Sequence, residues 1–261
     1  MAGPESGYYN SRAKKGRKSR LRWGTFYGIG VGPGDPELLT LKARRILEEI
    51  DVLLVPKSSE EKRSLALSIV SAAVMREWEC IELILPMTRD RNELHKYWEA
   101  AAHQVLEVLK TGRDAAFITL GDPTLYSTFT YLFKYVKEFE PSVTTEIIPG
   151  ISSVNSVSAW IQQPLAEGEE SLIIVPALRD AETLEAILDR FDNVVLLKAG
   201  RQVGKIAQIL NQSEYPASAV LACRCGFEDG FYTNDLSSLD HKKLDYLSTV
   251  IIKKRRGDEN R

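Results

Sequence analysis

Residues 28–43, GIGVGPGDPELLTLKA, place four glycines and two prolines ahead of an amphipathic segment. Turns of this composition bring backbone amides close to a nucleotide, so the spacing decides which nucleotide could bind. A dinucleotide turn requires G-x-G-x-x-G. Counting from Gly28 leads through Gly30 to Pro33, and counting from Gly30 leads through Gly32 to Asp35, so neither register fits. A Walker-type loop ends in G-K-[ST], and no such triplet follows Gly34. Asp35 before Pro36 reads as an N-cap followed by a first helical residue. The capping carboxylate would take up the amides and the positive dipole end that a phosphate needs. The expected ligand is therefore less anionic, such as adenosine without phosphates.

Two more turns have the same form, an apolar run, then Gly, Pro or Asp, then a helical segment. They are TLGDPTLYST at 119–128 and IIPGISS at 147–153. In an open parallel sheet such turns lie at the carboxyl ends of the strands, where ligands bind. Gly121 allows the backbone to approach a ligand, and Ser152 and Ser153 offer hydroxyls beside Gly150. Asp122 has two readings, an anion for an ammonium group or a cap for the following helix. Metal chemistry finds little support. His95 and His103 lie two turns apart on one helix, too far to share a metal ion. No protein-bound metal is expected.

The elements that must position these turns alternate from Gly24 onward. Strand-like FYGIGV, DVLLVP, IELIL, AAFITL and VTTEIIP are interleaved with helical segments. These include 35–50, 64–74, the long 91–110 with Gly112 just past its end, and 124–139. After residue 148 the pattern resumes with helices at 152–163, 181–191 and 203–212 and strands at 171–177, 193–200, 217–224, 230–234 and 246–254. This alternation predicts an α/β protein of two lobes with mainly parallel, mixed sheets covered by helices, and a cleft between them. The expected division is 23–148 and 149–255, with a basic tail over 1–22 and a charged tail over 256–261.

The bulk properties suit a soluble globular protein. Of 261 residues, 44% are hydrophobic and 27% charged, and no apolar run approaches the length of a membrane span. Three cysteines without a C-x-x-C predict a reducing compartment, with cytoplasm as the default. Residues 1–22 carry a net +6, read as a solvated tail, and leave about −8 on the remainder of a chain whose net charge is −2. An acidic body argues against general nucleic-acid binding.

The three loops, taken together and in this order, resemble those of the tetrapyrrole methyltransferase superfamily, which uses S-adenosylmethionine. The resemblance runs from about Gly24 to Lys254. VPKS (55–58), LALSIV (65–70), LPM (85–87), LGDPTLYSTF (120–129) and PLAEGEE (164–170) resemble the branch that methylates C20 of precorrin-2 or its cobalt complex in cobalamin synthesis. The resemblance implies a homodimer of class III methyltransferase-like architecture, with the methyl donor in the cleft. It places Pro33, Leu120, Gly121, Asp122, Leu125, Ser152 and Ser153 against the donor, with Pro176, Ala177, Lys198, Ala199, Cys223 and Arg224 contributed by the second lobe. The acceptor it implies is a polycarboxylate, which calls for local cations. Lys57, Arg89, Arg91 and Arg201 are the candidates, with Asp35, Tyr126 and Ser127 as further substrate contacts. No residue pattern announces a base, and Tyr126 is the candidate for proton removal. Any cobalt would arrive inside the substrate. Rival readings are a relative with another acceptor (uroporphyrinogen, a different corrin carbon, diphthine or ribosomal RNA), a nucleotide-binding oxidoreductase, which fails the glycine spacing, and a non-catalytic scaffold.

Overall fold

The computed structural model describes residues 23–59, 61, 63–86, 88, 90–176, 181–212, 217–239 and 244–254. Both tails, Arg89 and Ala177 lie outside these described residues. The described chain forms two five-stranded sheets.

The first sheet contains β1 (Phe26–Gly30), β2 (Val52–Lys57), β3 (Glu79–Ile84), β4 (Ala115–Thr119) and β5 (Thr145–Ile148). Its order is β3-β2-β4-β1-β5 and every pairing is parallel. Alternate residues along each strand face opposite sides, and both sides are covered. Val52, Leu54 and Phe117 meet α3 (Arg91–Lys110) and α4 (Phe129–Phe139) through Trp98, Val105, Leu109, Phe129 and Leu132. Leu53, Val55 and Ile118 meet α1 (Leu41–Glu49) and α2 (Leu65–Ala73) through Ile46, Leu47, Ile69 and Val70. Burial on both faces explains why these strands read as continuous apolar runs rather than alternating ones.

The second sheet contains β6 (Leu172–Val175), β7 (Asn193–Leu197), β8 (Ala217–Cys223), β9 (Phe231–Thr233) and β10 (Ser248–Lys254), in the order β6-β7-β10-β8-β9. Only β6 and β7 pair in parallel; β10 lies between β7 and β8 and runs antiparallel to both, and β9 pairs antiparallel with β8. Parallel pairing therefore predominates in the first sheet alone. α6 (Ala181–Arg190) and α7 (Val203–Gln212) pack on one face through Leu184, Leu188, Val203 and Ile206. α5 (Ser153–Trp160) covers the other, where Val154 and Val157 meet Val195, Leu197 and Ile251.

Three local departures from the sequence pattern bear on the site. Asp35 does act as a cap, accepting from the Glu37 amide at 2.8 Å, but of a 3-10 turn, Pro36–Leu38. Leu39 is extended, and Thr40 caps α1. The helix expected from residue 124 begins at Phe129, because Tyr126 takes a left-handed backbone at φ 51°. Arg224, at the same φ, ends β8 at Cys223, one residue short of the expected strand, and Cys225 lies beyond it.

The three turns at the carboxyl end of the first sheet rest on one another through backbone. The Gly121 amide donates to the Gly32 carbonyl at 2.7 Å. A Cβ on Gly30 would stand 2.5 Å, and one on Gly150 2.3 Å, from the Gly121 carbonyl oxygen. Asp122 secures this contact, one carboxylate oxygen accepting from the Gly150 amide at 3.0 Å and the other from the Thr124 amide at 2.8 Å. The two sheets are joined nearby. Phe227, from the turn after β8, packs into the first sheet's α1–α2 face, and a Cβ on Gly226 (φ +85°) would stand 2.5 Å from the Asp35 nitrogen. Tyr126 donates its hydroxyl to the Ile174 carbonyl of β6 at 3.0 Å.

Two outcomes follow from these contacts. Asp122→Asn replaces one acceptor oxygen with a donor that faces an amide, and is expected to lower unfolding free energy by about 1–3 kcal/mol, read by urea denaturation. Gly226→Ala adds backbone overlap to a left-handed position and should cost about 1–3 kcal/mol in the same measurement. A stability equal to that of the unsubstituted protein would mean the turns are not locked in this way.

Candidate active site between the two sheets

A cavity of about 660 Å³ opens where the carboxyl ends of the first sheet meet the second sheet. Its volume lies within the roughly 300–1,000 Å³ usual for small-molecule sites. Pro33, Leu120, Leu125, Val157 and Leu197 supply apolar wall; Thr119, Asp122, Ser152 and Ser153 supply polar groups. Lys57, Arg63, Lys198 and Arg201 also line it.

The donor set fits an adenosyl sulfonium better than a polyphosphate. At Gly121 the chain is left-handed, φ +68°, and a Cβ there would meet nothing closer than 3.9 Å, so its side toward the cavity is open for a ligand to approach the backbone. Two helical starts near the cavity are capped by side chains. Asp35 holds the 3-10 turn, and Ser152 accepts from the Asn155 amide at 3.3 Å while donating to Asn155 Oδ1 at 2.7 Å. No open row of amides remains at these starts for a phosphate to occupy.

Of the expected donor contacts, Pro33, Leu120, Gly121, Asp122, Leu125, Ser152, Ser153 and Lys198 line the cavity. Four others are placed differently. Ala199 is in the core under α7. Cys223 is buried at the end of β8 beside the Ser248 hydroxyl. Arg224 turns to Asp229 at 2.7 Å and Asp245 at 3.2 Å and lies over the Phe227 ring. Pro176 follows β6 without lining the cavity, and Ala177 lies outside the described residues. Asp122 does not cap α4 as one reading had it, because both oxygens serve Thr124 and Gly150.

Among the expected substrate contacts, Lys57, Tyr126, Ser127 and Arg201 line the cavity. Asp35 is committed to its cap and Arg91 opens α3 away from the lining; Arg89 lies outside the described residues. Ser127 is buried and shares a hydrogen bond with Thr119 while accepting from the Phe129 amide at 3.1 Å, so its hydroxyl fixes the start of α4. Sequence reasoning missed Arg63, Cys225 and the wall formed by Asp245, Tyr246 and Thr249. Arg63 sits in a charged run that resembles ordinary surface. The available signal was Ser64, the N-cap of α2, which accepts from the Leu67 amide and places its predecessor at the carboxyl end of β2.

Charge around the cavity is organised by pairing. The hydrogen bond that Arg224 donates to Asp229 is the largest influence raising the Arg224 pKa, and the same bond lowers that of Asp229. Burial raises the Cys225 thiol, opposed by its contact with Ser156. His95 meets the Tyr135 hydroxyl and His103 stacks on Phe139, both on the α3–α4 side. Among the described residues no group of three or more His, Cys, Asp or Glu could hold a metal, and no helix is long and apolar enough to cross a membrane.

Comparison with known proteins agrees with this geometry. The probable cobalt-precorrin-2 C(20)-methyltransferase of Methanocaldococcus jannaschii is 40% identical over 87% of this chain and 95% of that protein. The cobalt-precorrin-2 C(20)-methyltransferase of Salmonella typhimurium is 29% identical over 89% and 97%. The fold matches the crystal structure of uroporphyrin-III C-methyltransferase from Thermus thermophilus, complexed with S-adenosylhomocysteine, with a TM-score of 0.60 at 20% identity over 88% of this chain and 97% of that one. Residues 25–240 match the family described as Tetrapyrrole (Corrin/Porphyrin) Methylases, and the chain belongs to that family.

Proposed function

We propose that the protein transfers a methyl group from S-adenosylmethionine to C20 of the precorrin-2 macrocycle, in its cobalt-containing form, during corrin synthesis. The observation that carries this reading is the cavity itself: an apolar cleft built from three interlocked turns and lined with cations of both sheets. The names of the two similar enzymes support the position and the metal form.

When bound, S-adenosylmethionine supplies an electrophilic methyl with a good leaving group. The chain's part is alignment and exclusion of water. Pro33, Leu120 and Leu125 are assigned to the donor's apolar surface, the open backbone at Gly121 to its closest approach, and Ser152 and Ser153 to its polar groups. Lys57, Arg201, Ser127 and Tyr126 are assigned to the acceptor side. Tyr126 presents its ring at 47% exposure while its hydroxyl is donated to Ile174. Its role in this reading is therefore to brace the cleft rather than to take the C20 proton.

Further parts of the reading are a two-lobed division at residue 148, a homodimer, and a cytoplasmic setting. The three free cysteines fit a reducing compartment, and the net −8 that residues 23–261 carry speaks against a nucleic-acid acceptor.

Incubation with methyl-labelled donor and either precorrin-2 or cobalt-factor II, with product position read by NMR, tests the reaction. Label at C20, with the cobalt form preferred, is expected; donor binding without transfer to either acceptor would sink the assigned substrate. For Tyr126→Phe the expected result is a stability loss of about 0.5–1.5 kcal/mol and an unchanged shape of the pH–rate profile. A fall in rate of about 10²–10⁴ with loss of one limb of that profile would instead identify the phenol as a proton-transfer group.

A further inference from the structure

The charged groups of the cleft divide by whether the fold already employs them. Lys57 is paired with Glu82 at 3.0 Å, with only 11% of its side chain exposed. The Lys198 ammonium stands 5.1 Å from the centre of the Tyr246 ring. Asp122 holds the Gly150 and Thr124 amides, and Asp245 accepts from Arg224 at 3.2 Å and from the Leu247 amide at 2.7 Å. Arg63 and Arg201 are different. Both line the cavity, both are exposed, and neither has a carboxylate partner among the described residues.

Their backbones are held in place from opposite sides. Arg63 lies between β2 and α2, directly before the cap Ser64. Arg201 lies in the turn Gly200–Gln202 after β7, where a Cβ on Gly200 would stand 2.5 Å from the Asp245 carbonyl oxygen. One arginine thus follows β2 of the first sheet and the other follows β7 of the second. A space of about 660 Å³ suits a single drug-sized ligand, so a donor and a macrocycle together must extend toward its exposed lining. A guanidinium binds a carboxylate through two parallel hydrogen bonds, which fixes orientation as well as adding affinity.

We propose that Arg63 and Arg201 each grip one peripheral carboxylate of the tetrapyrrole, so that the substrate's own side chains bridge the two sheets and set which macrocycle edge faces the methyl donor. This rests on the tetrapyrrole reading above, and the experiment separates the two. Uroporphyrin, a stable polycarboxylate porphyrin, is titrated by fluorescence into the unsubstituted protein, Arg63→Gln, Arg201→Gln and Arg63→Lys, with donor affinity measured by calorimetry in parallel. Each glutamine variant is expected to weaken porphyrin binding about tenfold, the loss of one charge-assisted contact, with donor affinity as in the unsubstituted protein. Arg63→Lys should recover part of that loss, and the octamethyl ester of uroporphyrin should bind all four proteins alike. Equal porphyrin binding by the unsubstituted protein and both glutamine variants overturns the grip while leaving the tetrapyrrole reading intact. Loss of donor affinity in place of porphyrin affinity overturns it as well. No binding of porphyrin or donor by the unsubstituted protein would overturn both.

Discussion

The Gly121 carbonyl is the contact on which the site depends. Gly30 and Gly150 close against it from two other loops at distances that leave no room for a side chain, and the Gly121 amide returns a hydrogen bond to Gly32. Backbone packed on backbone is far less compliant than side-chain packing, because neither partner can change rotamer. The three turns therefore behave as one body rather than as three independent loops. That rigidity suits a reaction in which alignment supplies most of the acceleration.

The same economy appears in the carboxylates. Asp122 and Asp245 both line the cavity, yet each is consumed by local amides or by Arg224. Their oxygens are thereby turned to partners within the fold rather than left free to face the cavity. Tyr126 illustrates the parallel principle for strain. A non-glycine residue at φ 51° carries a conformational penalty, offset here by a hydrogen bond that reaches the other sheet.

Much of this was legible in the sequence because local chemistry and tertiary role coincide. The glycine spacing excluded phosphate loops, the apolar runs of β2 and β4 declared a doubly covered sheet, and Gly112 marked the end of α3. Eight of the donor contacts implied by family resemblance line the cleft because they sit in the turns themselves. The failures were tertiary. Ala199 and Cys223 were placed by adjacency to strand ends, but at a strand end a single residue step decides between core and cleft. Arg224 could not be separated from a ligand contact without knowing that Asp229 and Asp245 surround it. The antiparallel β10 was hidden because nothing in a strand's composition states which neighbours it will choose.

The placement of β10 has a consequence for how the chain is made. All strands of the first sheet lie before residue 149, so they are available before the second sheet begins at Leu172. The second sheet has its middle position filled by the last of its strands in chain order, Ser248–Lys254, which pairs with β7 and β8 at once. Until those residues emerge, β7 and β8 have exposed edges facing each other, and loop closure must precede any gain from pairing. The half of the cleft that carries Lys198 and Arg201 thus takes shape only once β10 has been made.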